Sequence, residues 1–376
     1  MEKCAARKFE VKYMENIRTK LSGMKKSTKQ ELITYGMVTL LFVLFQSLNN
    51  AGILSRSLSG QLVPVCVYVV AAVALNLVVG FSGELSLGHA GFLSIGAFSG
   101  AVFCKLFSGI GNDTVCLILA MVCGGIVAGI FGFLIGIPVL RLRGDYLAIV
   151  TLAFGEIIRN IVNCIYLGID GNGRWHFAFG STVEMEGGTT IINGPMGITG
   201  NEKISTFAVG FGLILFTLFI VFNLINSKTG RAIMAIRDNR IAAESIGLSA
   251  TGFKMTAFVI SAVLTGMAGT LYAMNYASVA PIKFGFNQSV LILIFVVLGG
   301  MGNIRGSIIA AIILTVLPEQ LRGVGDFRML IYALLLISMM LITQSDKGRV
   351  LMEKITANFK KILSIKKKTV KGEKAE

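Results

Sequence analysis

Few side chains in this 376-residue sequence could do chemistry, and most of them come in groups. Glu156 and Arg159 stand three positions apart inside an apolar run, a spacing that puts both on one face of a helix. An ionised group near the centre of a membrane helix costs about 2.5–3.5 kcal/mol on insertion scales, so each needs a partner or a watery cavity. Either the two pair and orient their helix, or they lie on a translocation path. Glu84, Ser86 and His89 fall in the Gly-rich stretch Gly80 to Gly91 between two apolar runs. Unwound backbone at membrane depth is tolerated only where protein buries it or a water-filled cavity meets it. These three are then plain loop residues at one membrane face, or groups that line a cavity.

A third group lies in the polar segment Ser227 to Lys254. Asp238 can cap a short helix from about Asn239 to Ile246, with Gly247 in the terminating position. Arg237, Arg240 and Glu244 make this helix too polar to lie in lipid. It is suited to contact with another protein, or it is a solvated connector with the same cap.

Other chemistries lack their residues. The sequence has no G-x-x-x-x-G-K-[ST] loop, no H-E-x-x-H and no nucleophile elbow. The glycines between Gly300 and Gly306 resemble a dinucleotide fingerprint only superficially, because no βαβ unit surrounds them. Two histidines offer no basis for a metal site, and neither an enzyme activity nor a cofactor is expected. Six cysteines without a C-x-x-C pair read as small buried hydrophobes.

The elements that must position these groups are membrane helices. The chain is 54% apolar and 15% charged with a mean hydropathy of +0.75, against about 25% charged in a soluble domain. Apolar runs occur at about Leu32 to Leu48, Leu62 to Phe81, Leu87 to Phe107, Val115 to Pro138, Leu147 to Leu167, Ser205 to Asn226, Thr256 to Tyr276 and Phe327 to Thr343. A further region, Ser289 to Leu317, is broken by Gly299, Gly300, Gly302 and Gly306 and reads as two short helices. The expected fold is all-α and polytopic, with about ten transmembrane helices including short or broken ones. Small residues four apart, as in Gly96 and Gly100, Gly125 and Gly129, Gly132 and Gly136, and Ala262 and Gly266, suit close helix packing.

The net charge of +15 does not point to nucleic acid, since the Lys and Arg residues sit at the termini and in a few loops. Their distribution suits the positive-inside rule and attraction to anionic membrane lipid. Ten spans place 27 of them inside and 7 outside, with Arg159 within a span. This organises the chain into a basic cytoplasmic segment 1–31, a transmembrane domain 32–343 and a basic cytoplasmic tail 344–376. The external loop 168–204 is turn-rich, with no regular structure expected; the inner loop is 227–255. No removable signal peptide is expected before the first span.

Five stretches carry a family resemblance: GFSGELSLGHAGFLSIGAF (Gly80 to Phe98), LRLRGDYLAIVTLAFGEIIRN (Leu140 to Asn160), NGPMGITG (Asn193 to Gly200), SKTGRAIMAIRDNRIAAESIG (Ser227 to Gly247) and VLGGMGNIRGS (Val297 to Ser307). In their order, over about Leu62 to Thr343, the chain resembles the M-type permease subunit of bacterial branched-chain amino acid ABC importers. The resemblance implies a site on the plasma membrane and the ABC importer permease fold. It implies that Arg237, Arg240, Ala242, Ala243, Glu244 and Gly247 couple to an ATPase. Ala242, Ala243 and Gly247 match an E-A-A-x-x-x-G pattern in which Ile241 replaces the Glu. The implied partners are a second, H-type permease, two ATP-binding cassette subunits and an extracytoplasmic binding protein. The implied substrates are Leu, Ile and Val. A permease for urea or another small solute of the same class, or an ion-coupled secondary transporter, are the alternatives.

Overall fold

A computed structural model describes residues 26–52, 55–107, 112–142, 144–170, 174–180, 189–321 and 327–344. The basic segments assigned to the cytoplasm lie outside these residues, apart from the start of the first helix. Ten apolar helices stand where the apolar runs were read: α1 Lys26–Asn50, α2 Arg56–Asn76, α3 His89–Leu106, α4 Asp113–Val139, α5 Asp145–Cys164, α6 Phe207–Asn226, α9 Ala250–Ala273, α10 Phe286–Gly299, α11 Ile304–Gln320 and α12 Arg328–Gln344. Two polar helices, α7 Lys228–Asp238 and α8 Arg240–Ser245, fall between α6 and α9.

Seven of the described helices, α1 to α6 and α9, are long and apolar enough to cross a membrane. The other three have 14, 17 and 17 residues. At 1.5 Å per residue they reach about 21 to 26 Å, short of the ~30 Å of hydrocarbon. The glycine break is the turn of a hairpin: α10 ends at Gly299, and a Cβ on that residue would fall on the backbone of Gly306 and Ser307 in α11.

Helix α2 sits at the centre, its apolar window 94% buried. The run from Val67 to Leu75 is small and apolar on every side apart from Tyr68, so it can be enclosed all round. Its end loosens into a π-helical turn, Leu77–Phe81, and buried Asn76 ties that end to the hairpin. The Asn76 amide donates to Ser307 Oγ at 2.9 Å, and its Oδ1 accepts from the Gly302 N–H at 2.8 Å.

Helix α9 packs on α3 and α4 through the small residues. A Cβ on Gly96 would fall on the backbone of Gly266, and one on Gly132 would meet the Ala262 methyl. The Thr270 hydroxyl uses this proximity to donate to the Gly96 carbonyl at 2.8 Å. Without a hydrophobic drive between helices in lipid, such close packing and interhelical hydrogen bonding hold the bundle together.

The loop read as irregular carries a sheet, which corrects that expectation. Strands β1 Ile165–Ile169, β2 Trp175–Phe179, β3 Thr189–Asn193 and β4 Ile198–Thr199 are joined by β5 Ser278–Val279 from after α9, in the antiparallel order β2-β1-β3-β4-β5. β1 and β2 are rich in aromatic and β-branched residues, which suit a pleated surface. The molecule remains an all-α bundle with this small cap on one end.

Candidate coupling and transport site

The polar segment between α6 and α9 folds as two helices, one more than its sequence showed. The Ser227 hydroxyl accepts from the Gly230 N–H at 3.1 Å and starts α7 directly after α6. Ile233 of α7 packs with Leu77 and Ala257, and Ile236 with Ala243 and Ala250, so the apolar side of α7 seals the bundle's end. The cap of α8 is Asn239 and not Asp238: Asn239 Oδ1 accepts from the Ala242 N–H at 3.1 Å. Asp238 instead pairs with Arg237 at 2.9 Å. Gly247 ends the helix with φ +86°, a conformation that strains any side chain.

Helix α8 turns Ala243 inward and leaves Ala242 and Glu244 exposed. Arg240 Nε and Glu244 Oε1 pair at 2.8 Å, one turn apart. Beside them Ile241 and Ile246 are 81% and 75% exposed. Two large aliphatic groups standing out of a charged helix form a small apolar patch with a polar rim, which is the composition of a protein contact surface.

This surface connects directly to the Gly80–Gly91 break. Arg237 Nη1 donates to the Gly80 carbonyl at 2.9 Å, in the π-helical turn of α2. Lys254, in the second turn of α9, pairs with Glu84; their side chains are 10% and 13% exposed. Glu84 therefore neutralises a nearly buried cation at the polar-helix end of the bundle.

Ser86 and His89 lie deeper and are fully buried. The Ser261 hydroxyl donates to the Ala74 carbonyl at 2.6 Å, so it must accept at its other contact, 2.7 Å from His89 Nε2. That assigns the proton of a neutral His89 to Nε2 and leaves Nδ1 to accept from Ser86 Oγ at 3.3 Å. Other hydroxyls satisfy the rest of the break: Thr151 Oγ1 accepts from the Leu87 N–H at 3.1 Å and Ser289 Oγ from the Ala90 N–H at 3.2 Å. The unwound segment is thus stitched to α5, α9 and α10, with Ser86, Gly88 and His89 buried while Gly83 and Leu85 stay exposed.

Glu156 and Arg159 occupy a different place, nearer the sheet. They pair at 2.8 Å, and the second carboxylate oxygen accepts from the Phe286 N–H at 2.9 Å, capping α10. A carboxylate there also complements the positive end of the helix dipole. Both line an open cleft of about 850 Å³ with Tyr272, Lys283, Asn287 and Gln288. Arg159 Nε is buried with no hydrogen-bond partner among the described residues. The candidate residues therefore divide in two: Arg237 ties a polar helix to the Gly80–Gly91 break and Glu84, Ser86 and His89 anchor that break to α9, whereas Glu156 and Arg159 line a cleft. Lys254, Thr151, Ser261 and Gln288 complete these clusters. None of these four was singled out in the sequence, where Lys254 counted only among the basic residues of the inner loop.

The sequence profile of the family described as "Branched-chain amino acid transport system / permease component" matches residues 57–343. The high-affinity branched-chain amino acid transport system permease protein LivM of Salmonella typhimurium is 41% identical over 286 residues, 73% of this chain and 66% of that protein. The protein of the same name from Escherichia coli is 40% identical over 286 residues with the same coverage. A probable branched-chain amino acid transport permease protein LivM from Methanocaldococcus jannaschii is 23% identical over 274 residues, 64% of this chain and 74% of that one. The match spans 66% of the first two relatives' length. A profile that covers the bundle from α2 to α12 places both clusters within the shared region. The chain belongs to the family of permease components of the branched-chain amino acid transport system.

Proposed function

We propose that this chain forms one half of the pore of an ATP-driven importer for Leu, Ile and Val, with an H-type permease as the other half. Two ATP-binding cassette subunits grip α7 and α8 on the cytoplasmic side, and a binding protein delivers substrate at the sheet. The observation that carries this reading is α8, a short capped helix with Ile241 and Ile246 exposed, directly following α7, whose Arg237 is tied to the break after α2. An ATPase that moved α8 would pull on the Gly80 carbonyl and on the segment held by Glu84. Arg159 lines the cleft with its pairing partner Glu156, and its guanidinium offers a positive charge to a substrate carboxylate. The names carried by the relatives favour branched-chain amino acids over urea. Both termini and the basic inner loop face the cytoplasm of a bacterial cell in this reading, which the 27-to-7 bias of Lys and Arg supports.

The test is purification of the tagged chain from its native membrane in mild detergent. An ATPase carrying a P-loop should accompany it, and its hydrolysis should rise when a leucine-loaded binding protein is added. A chain that purifies without an ATPase and transports leucine alone would contradict the proposal.

A further inference from the structure

Two thiols at the sheet end of the bundle meet as no other described cysteines do. Cys104, in the last turn of α3, and Cys116, in the first turn of α4, hold their Sγ atoms 2.9 Å apart. That is closer than two non-bonded sulfur atoms settle. The approach is imposed by the helices, since α3 and α4 run side by side close enough that a Cβ on Gly124 would come 2.9 Å from the Gly96 carbonyl. Cys116 is buried, and its sulfur lies 3.9 Å and 4.0 Å from the carbonyls of Cys104 and Phe107, seated over the end of α3. Cys104 is half-buried and the more accessible of the two.

The compartment follows from the next residue. Lys105 Nζ donates at 2.6 Å to the carbonyl of Thr199 in β4, so the pair sits beside the sheet. In the proposed topology the sheet is outside, where no glutathione pool keeps thiols reduced. We propose that Cys104 and Cys116 form a disulfide on the extracytoplasmic side, linking the end of α3 to the start of α4; this rests on the external placement of the sheet. The oxidant is a protein thiol oxidase that carries an exchangeable disulfide. The Cys104 thiolate attacks one oxidase sulfur and forms a mixed disulfide, and the other oxidase sulfur leaves as a thiolate and takes up a proton. The Cys116 thiolate then attacks the Cys104 sulfur, forming the intrachain bond and releasing the second oxidase sulfur, which is protonated in turn. Two thiols of this chain lose two electrons and two protons, and the oxidase disulfide gains them. The product staples α3 to α4 next to the surface on which a binding protein would settle.

Cells expressing the full chain are quenched in acid, and the denatured protein is treated with maleimide-polyethylene glycol with or without prior reduction. The chain has six cysteines. The wild type should take four adducts unreduced and six after reduction, and Cys104→Ser and Cys116→Ser should each take five in both states. Six adducts on the unreduced wild type would overturn the proposal, as would three on unreduced Cys104→Ser, which would place the bond elsewhere. Lys203→Cys, on exposed chain beside the sheet, reports the topology separately through a membrane-impermeant maleimide on intact cells. Labelling from outside together with six free thiols in the wild type would sink the disulfide alone. A Lys203→Cys that stays unlabelled would sink the external placement, and the disulfide with it.

Discussion

Arg237, in the last turn of a polar helix, donates a 2.9 Å hydrogen bond to the carbonyl of Gly80, where α2 loosens into its π-helical turn. The contact joins the segment most suited to hold a partner to the point where the bundle's central helix is least regular. A hydrogen bond from a charged donor contributes about 1.5–3 kcal/mol. Arg237→Gln should therefore leave the chain folded and assembled but lower substrate-stimulated uptake at least severalfold, with ATP hydrolysis less affected. The ratio of uptake to hydrolysis checks this, and an unchanged ratio would remove Arg237 from the coupling route.

Lys254 and Glu84 make a sharper stability test because both are nearly buried. Removing one member of such a pair strands the other charge and costs about 3–5 kcal/mol, whereas removing both costs less. Glu84→Gln and Lys254→Met should each lower the unfolding midpoint in detergent more than the double variant does. If the double variant shows the sum of the two single losses, the pair is not interacting.

The seam of α3 and α9 leaves no room for a larger side chain. Gly96→Leu would drive a side chain into the Gly266 backbone and should abolish folded protein on size exclusion. Thr270→Val, which loses the 2.8 Å hydrogen bond to Gly96 and a longer one of 3.4 Å to the Gly266 carbonyl, should cost about 0.5–1.5 kcal/mol and keep the fold. Wild-type stability in Gly96→Leu would mean that the two helices do not approach as described.

Much of this bundle was legible in advance because lipid imposes a simple rule: a spanning helix must show a long apolar run, and ten runs gave ten helices. Helix length told less about crossings, since α10 is too short to span by itself. The sheet was missed because its strands have two to five residues separated by Gly and Asn, and β5 comes from 79 positions beyond β4 in sequence. The cap of α8 was misplaced by one residue because Asp238 and Asn239 are both good caps, and only the pairing of Asp238 with Arg237 decides between them. The separation of Glu156 and Arg159 from the Gly80–Gly91 residues was illegible, since it depends on how helices pack. So was the meeting of Cys104 and Cys116, read from the sequence as two unrelated buried thiols.

The cleft gives a prediction about transport. Arg159→Gln removes the cation at the cleft and the partner of Glu156, so substrate uptake should fall at least tenfold while the ATPase still binds. Arg159→Lys, which keeps the charge but loses the planar fork, should recover part of it. Full activity in Arg159→Gln would leave the pair with only its role in capping α10.

The central claim is that α8 is where an ATPase drives this chain. The most direct measurement is leucine uptake by proteoliposomes that hold the complete complex and an external binding protein, with ATP inside, compared for the wild type and Gly247→Asp. Gly247 has φ +86° with no neighbouring side chain in the way, so a side chain there disturbs the end of α8 and little else. The account predicts ATP-dependent uptake in the wild type, none on a proton or sodium gradient alone, and a loss of about tenfold or more in the folded variant. Uptake driven by an ion gradient without ATP, or undiminished in Gly247→Asp, would contradict it.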